Sequence, residues 1–167
     1  NKVNLYLDKE VIAIDIVNNE VKINDGSSLK YDKLLIATGA SNFIPPIKGI
    51  NKKNVFTIRK FEDIEDIKAN AKDKQTVLNI GGGVQGLEAA WAFSKEGKDV
   101  TVVEALERLM PRQLYKRASD ILKNKIEKCN IRILLNAQVE RISGESSVDG
   151  VILKDGNKIN CDMILFL

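Results

Sequence analysis

The chain has 167 residues, 44% of them hydrophobic, and its 26 basic and 23 acidic side chains leave a net charge of +3. That is ample apolar content for a packed core, and the charge is too evenly spread to point to nucleic acid or a membrane surface as a partner. No apolar run exceeds five residues, there is no histidine, and the two cysteines, Cys129 and Cys161, have no metal-ligand spacing, which excludes bilayer spans, zinc sites, Ser-His triads and histidine proton shuttles within this chain.

The chain opens without methionine or a basic-then-apolar leader, directly on the strand-like alternation of Val3, Leu5 and Leu7, so the cytoplasm is the expected compartment. Short β segments follow. VIAIDIV from Val11, VKI from Val21 and SLKYDKLLIATG from Ser28 are separated by Asn18 and Asn19 and by Asn24, Asp25 and Gly26, the pattern of a meander feeding a buried strand from Leu34 to Ala37. In SNFIPPIKGI, Pro45 and Pro46 forbid regular structure and Gly49 adds a turn. A connector is expected there, with a domain boundary drawn between residues 42 and 43.

Phe61, Ile64, Ile67 and Ala71 then recur at helical spacing among charges, which predicts an amphipathic helix. The stretch from Thr76 to Glu104 is denser in signals. TVLNI reads as a strand, GGG as a turn, Val84 to Glu96 as a helix closed by Gly97, and DVTVVE as a second strand, together a parallel βαβ unit. Gly81, Gly83 and Gly86 fit GxGxxG. The first glycine allows the tight turn, the second lets a pyrophosphate approach bare backbone, and the third lets helix and strand pack closely. The N-H groups at the helix start, around Val84 and Gln85, face the same anion. Glu104, 23 residues after Gly81 and at the end of the second strand, is placed to accept hydrogen bonds from an adenosine ribose. A second stripe of Leu114, Ala118, Ile121, Leu122, Ile126 and Cys129 predicts another helix. The strand IRILL and the antiparallel-looking segments AQVERISG, DGVILKDG and NKINCDMILFL complete an α/β domain. Both cysteines read as buried core residues. The last segment stops inside the apolar MILFL without a closing turn, so the ends read as cut from a longer chain.

The succession of YDKLLIATG, a proline-rich link and VLNIGGGVQGLEAAWAFSKEGKDVTVVE resembles the pyridine nucleotide-disulphide oxidoreductase family over the whole chain. LMPRQLY at Leu109 to Tyr115 is similar to the segment of NADH:rubredoxin reductases and assimilatory nitrite reductase large subunits, with Tyr115 where an Asp usually stands. The resemblance implies a Rossmann-like NAD(P)-binding domain over residues 43–167, joined to a partial FAD-domain strip over residues 1–42. It implies that Ala37, Thr38 and Gly39 run close to FAD, and that Glu88 lies near the nicotinamide.

The expected function is NAD(H) binding within a flavoprotein that passes hydride from NADH to FAD and electrons onward to rubredoxin, a nitrite-reductase centre, a disulphide or oxygen. The expected partners are the nicotinamide dinucleotide, the remainder of the FAD domain and an electron-acceptor protein. Redox chemistry then belongs to the cofactors, and this chain alone is expected to retain no FAD and to turn nothing over. The alternatives are a self-standing NAD-sensing module and a glycine turn that serves FAD. A short-chain dehydrogenase is a weaker rival because no tyrosine is followed four residues later by lysine.

Overall fold

A computed structural model of the chain describes residues 3–40 and 44–167, and the chain divides into two compact units, Asn1–Ala40 and Ser41–Leu167. The boundary expected between residues 42 and 43 lies outside the described residues. In the first unit, β1 (Val11–Asp15), β2 (Glu20–Ile23) and β3 (Ser28–Lys30) form an antiparallel sheet in that order. Its turns follow the sequence signals. Asp15 Oδ1 accepts from the N-H groups of Val17 and Asn18 at 3.0 Å each, and Asn19 and Gly26 take the left-handed conformation that their types tolerate.

Two expectations fail in this unit. Residues 34–37 form no strand, and Leu34, Leu35 and Ile36 are exposed. Val3, Leu5 and Leu7 likewise form no strand and are exposed. An apolar run becomes a buried strand only where a neighbouring backbone pairs with it and a layer covers it, and no described strand of this unit pairs with either segment.

The second unit contains, in chain order, β4 (Val55–Thr57), α1 (Phe61–Ala71), β5 (Thr76–Ile80), α2 (Val84–Lys95), β6 (Asp99–Val103), α3 (Lys116–Glu127), β7 (Ile131–Leu134), β8 (Val139–Ser143), β9 (Gly150–Leu153), β10 (Lys158–Asn160) and β11 (Met163–Phe166). Five strands form a parallel sheet in the order β4-β11-β5-β6-β7. The remaining three, β8, β9 and β10, form an antiparallel meander.

Strand alternation divides the core into two layers. Val77, Val100, Val102, Ile131, Ile133, Met163 and Leu165 pack with Ile67 and Ala71 of α1 and Leu87, Ala90 and Phe93 of α2. The intervening positions Leu78, Val103 and Ile164 pack instead with Ile142, Val151 and Leu153 of the meander. The sheet is therefore covered on both faces, as parallel sheets require.

The sequence pattern of MILFL suggests an antiparallel strand, yet β11 runs parallel between β4 and β5. Asp162 explains the change of partner. Its Oδ2 accepts from Thr76 Oγ1 at 2.7 Å and from the N-H groups of Thr76 and Gln75 at 2.9 and 3.0 Å, so the chain leaving β10 is fastened beside the start of β5. Those Thr76 donors hold the Asp162 carboxyl below the usual carboxylate range. Strand β4, only three residues long, carried too short a pattern to be read from sequence.

The stripe expected around α3 is only partly realised. Leu114 precedes the helix, Leu122 and Ile126 pack on the core, and Ala118 and Ile121 are exposed. Cys129, beyond the helix end, is exposed rather than buried, because the helix stops at Glu127 and the turn carries the thiol off the packed face. Cys161 is buried as expected, and burial pushes its thiol up to about 12, which keeps it protonated and inert.

Candidate functional site

Strand β5 stands where the order of the sheet reverses: β6 and β7 continue to one side of it, β11 and β4 to the other. The crevice beyond the carboxyl ends at such a point is where open α/β sheets hold ligands. The glycine turn occupies it. Its far lip is Leu167, whose N-H donates to Ile80 O at 3.0 Å. A cavity of about 410 Å³ lies there, bordered by Gly81, Glu104, Ala105, Ala137, Gln138 and Leu167.

The glycines of the turn differ in what demands them. Gly81 has φ +120° and a Cβ on it would lie 1.9 Å from Leu167 O, so both backbone and packing require glycine. A Cβ on Gly86 would lie 2.3 Å from Gly81 O, which is the close helix-strand contact anticipated from the motif. A Cβ on Gly82 would lie 2.8 Å from Leu109 and 3.0 Å from Glu104 Oε2. Gly83 is different. Its φ of −80° suits any residue, and a Cβ there would meet nothing within 4 Å among the described residues. Neither conformation nor the protein's own packing accounts for a glycine at 83.

Helix α2 starts at this point without a side-chain cap and with no acidic residue in its first turn. The first helical bond runs from Leu87 N to Gly83 O at 3.0 Å, so the N-H groups of Val84, Gln85 and Gly86 precede any partner within the helix. Val84 and Gln85 are exposed. Open N-H groups, a positive dipole end and bare backbone form a site with the chemistry of a phosphate cradle.

Glu104 is buried at the end of β6. Its Oε2 accepts from Gly82 N at 2.7 Å and its Oε1 from Leu106 N at 2.8 Å. A carboxylate has about four acceptor positions, so each oxygen keeps capacity for a hydroxyl. Gly82 is held on its other side as well, its carbonyl accepting from Met110 N at 2.9 Å. Arg108, in the same loop, is engaged by Glu107 at 2.7 Å, by Pro111 O at 3.1 Å and by Leu114 O at 3.3 Å. Glu88 is exposed and, with Gln85, borders an apolar groove between α1 and α2. Ala37, Thr38 and Gly39 belong to the first unit, in a segment without regular structure where Gly39 has φ +77°.

The glycines and Glu104 are legible in the sequence, but the residues that support them are not. Leu109 and Met110 dock on Gly82; the LMPRQLY segment that contains them carries a family resemblance but no sign of this contact. Asn79, wholly buried in β5 with its Nδ2 donating to Gly81 O at 2.7 Å, was hidden inside an apolar strand.

A parallel sheet with this strand order, and a glycine turn at its switch point, define a dinucleotide-binding α/β fold. The chain belongs to the pyridine nucleotide-disulphide oxidoreductase family, whose model matches residues 1–167; this is a family of FAD- and NAD(P)H-dependent oxidoreductases. The chain is 39% identical over 166 residues to the nitrite reductase [NAD(P)H] of Bacillus subtilis, covering 99% of this chain and 20% of that protein. It is 32% identical over 166 residues to the rubredoxin-NAD(+) reductase of Pseudomonas putida, covering 99% of this chain and 43% of that protein. Among solved structures, the ferredoxin reductase for the CYP199A2 system from Rhodopseudomonas palustris superposes with a TM-score of 0.89 at 28% identity, over 96% of this chain and 40% of that one. The chain thus spans well under half the length of these relatives. Among the described residues, no helix is long and apolar enough to cross a membrane.

Proposed function

We propose that this chain binds NADH and presents it to FAD within an oxidoreductase that delivers electrons to an acceptor protein or centre, of the kind named for its rubredoxin- and nitrite-reducing relatives. The observation that carries this reading is the open space over Gly83 at the uncapped start of α2. The glycine leaves room for something other than protein, and the nearby N-H groups suit an anion. When bound, the two cofactors supply the redox chemistry, NADH giving a hydride and FAD taking it up.

The chain's own residues bind and orient. The N-H groups of Val84 and Gln85 hold the pyrophosphate at the helix start. Glu104, already oriented by Gly82 and Leu106, accepts from the adenosine ribose. Glu88 stands one turn beyond Val84 on α2 and meets the nicotinamide end, while Ala37, Thr38 and Gly39 form an edge of the flavin side completed by the remainder of the FAD domain. The reaction runs in the cytoplasm.

The same geometry favours NADH over NADPH. A 2′-phosphate would meet the Glu104 carboxylate, and Arg108, the basic residue closest in sequence, is already engaged by its own loop. In calorimetric titrations of the chain, NADH is expected to bind at least about tenfold more tightly than NADPH, or ~1.4 kcal/mol. Equal or tighter binding of NADPH overturns this assignment of Glu104, and binding of neither overturns the dinucleotide site.

A further inference from the structure

Asn79 is the exception in an apolar layer. In the sheet it is flanked by Val102 of β6 and Leu165 of β11, both wholly buried, and it shares its parity along β5 with Val77, which packs beneath the helices. An apolar β-branched residue would fill such a position with less penalty. The amide is also only half used. Nδ2 donates to Gly81 O at 2.7 Å, but Oδ1, equally buried, has no partner among the described residues, and a buried unpaired acceptor destabilises a fold. Stability therefore does not explain why an asparagine stands here.

What the amide holds does explain it. The Gly81 carbonyl is turned beneath the first turn of α2, 2.3 Å from where a Cβ on Gly86 would sit, and Asn79 Nδ2 is 2.6 Å from the same point. Gly81 O is thus a backbone acceptor lying against a helix start whose N-H groups have no partner within the helix. A small rotation of the turn would let that carbonyl accept from them, and the helix would then cap itself with its own loop. Asn79 Nδ2 holds one of the carbonyl's two acceptor positions and so fixes its direction against that rotation. We infer that Asn79 is a positioning residue for dinucleotide binding: its side-chain amide holds the Gly81 carbonyl and so keeps the α2 N-H groups free for the pyrophosphate.

This inference rests on the dinucleotide reading, and its test separates the two. Asn79→Leu and Asn79→Val both remove the donor and the unpaired oxygen; Val is included because Leu fills more space beside Gly86. Each variant is titrated with NADH by calorimetry, and its thermal midpoint is measured without ligand. The expected result is an NADH dissociation constant raised at least tenfold with a midpoint unchanged or higher, a split that a merely structural residue would not give. Affinity within twofold of the unaltered chain overturns the role of Asn79 and leaves the dinucleotide reading standing. So does a parallel loss of affinity and thermal midpoint, or failure of both variants to fold, since the amide would then be part of the frame. Absence of NADH binding by the unaltered chain overturns the reading, and the inference with it.

Discussion

Helices α1 and α2 both begin after an extended residue, Lys60 and Gly83 respectively, and both lack a side-chain cap hydrogen bond from that residue. Their first turns are nonetheless opposite. Helix α1 carries Glu62 and Asp63 there, and Asp63 Oδ2 accepts from the N-H groups of Arg59 and Lys60 at 2.7 and 2.8 Å, placing a carboxylate at the positive end of the helix. Helix α2 has no acid in its first turn and a glycine over which nothing packs. The protein completes one helix start from its own sequence and leaves the other open, at the place the proposed function gives to an anion. Lack of acid is not sufficient to mark such a site. Helix α3 also has none, but it opens on Tyr115 and on Lys116, which pairs with Asp120 at 2.9 Å, and it follows no glycine turn.

Breaking the support of the α2 start should have the largest effect. In Gly81→Ala the new methyl would overlap Leu167 O just beyond the carboxyl ends of β5 and β11, in a conformation that L residues rarely adopt. The expected cost is on the order of 3 kcal/mol or more, which lowers the thermal midpoint of a domain this size by roughly 10 °C. Differential scanning calorimetry checks it, and NADH binding should fall with the fold.

The α1 start should respond in the other way. Hydrogen bonds from the N-H groups of Lys60 and Arg59 hold the Asp63 carboxyl below its ordinary value of 3.8. A carboxyl depressed in the folded state stabilises above its ordinary pKa, and that stabilisation is lost as pH falls through the depressed folded value. Asp63→Asn should therefore lower the midpoint slightly at neutral pH, and the difference from the unaltered chain should fade under acid, in melts recorded from pH 7 downward. NADH affinity should not change, because the carboxylate at this helix start serves the protein's own N-H groups.

These contrasts were unevenly legible in the sequence. The motif at Gly81, Gly83 and Gly86, the flanking strands and Glu104 could be read because each has a local signature: a period, a spacing or a residue type with one conformational use. Long-range pairing has no such signature. The apolar run MILFL is compatible with either strand direction, and its parallel place in the sheet depends on Asp162 meeting Thr76 and Gln75. Leu34 to Ala37 shows the reverse, an apolar run that is a good strand by composition but has no strand paired with it. Cys129 was misplaced by extending a helical period two residues past the helix end. Asn79 and the Leu109–Met110 contact with Gly82 were invisible because their roles arise only when the turn, β6 and the following loop converge in space.

If Gly83 keeps space for a dinucleotide rather than for protein, calorimetric titration of Gly83→Val with NADH will show it. A valine at 83 has a permissible φ and no close protein neighbour at its Cβ, so the variant should fold with nearly the thermal midpoint of the unaltered chain. Its β-branched side chain would stand where the pyrophosphate must approach the backbone. The expected result is a folded Gly83→Val chain whose NADH affinity has fallen at least about a hundredfold, ~2.7 kcal/mol. A folded variant that binds NADH as tightly as the unaltered chain would contradict it.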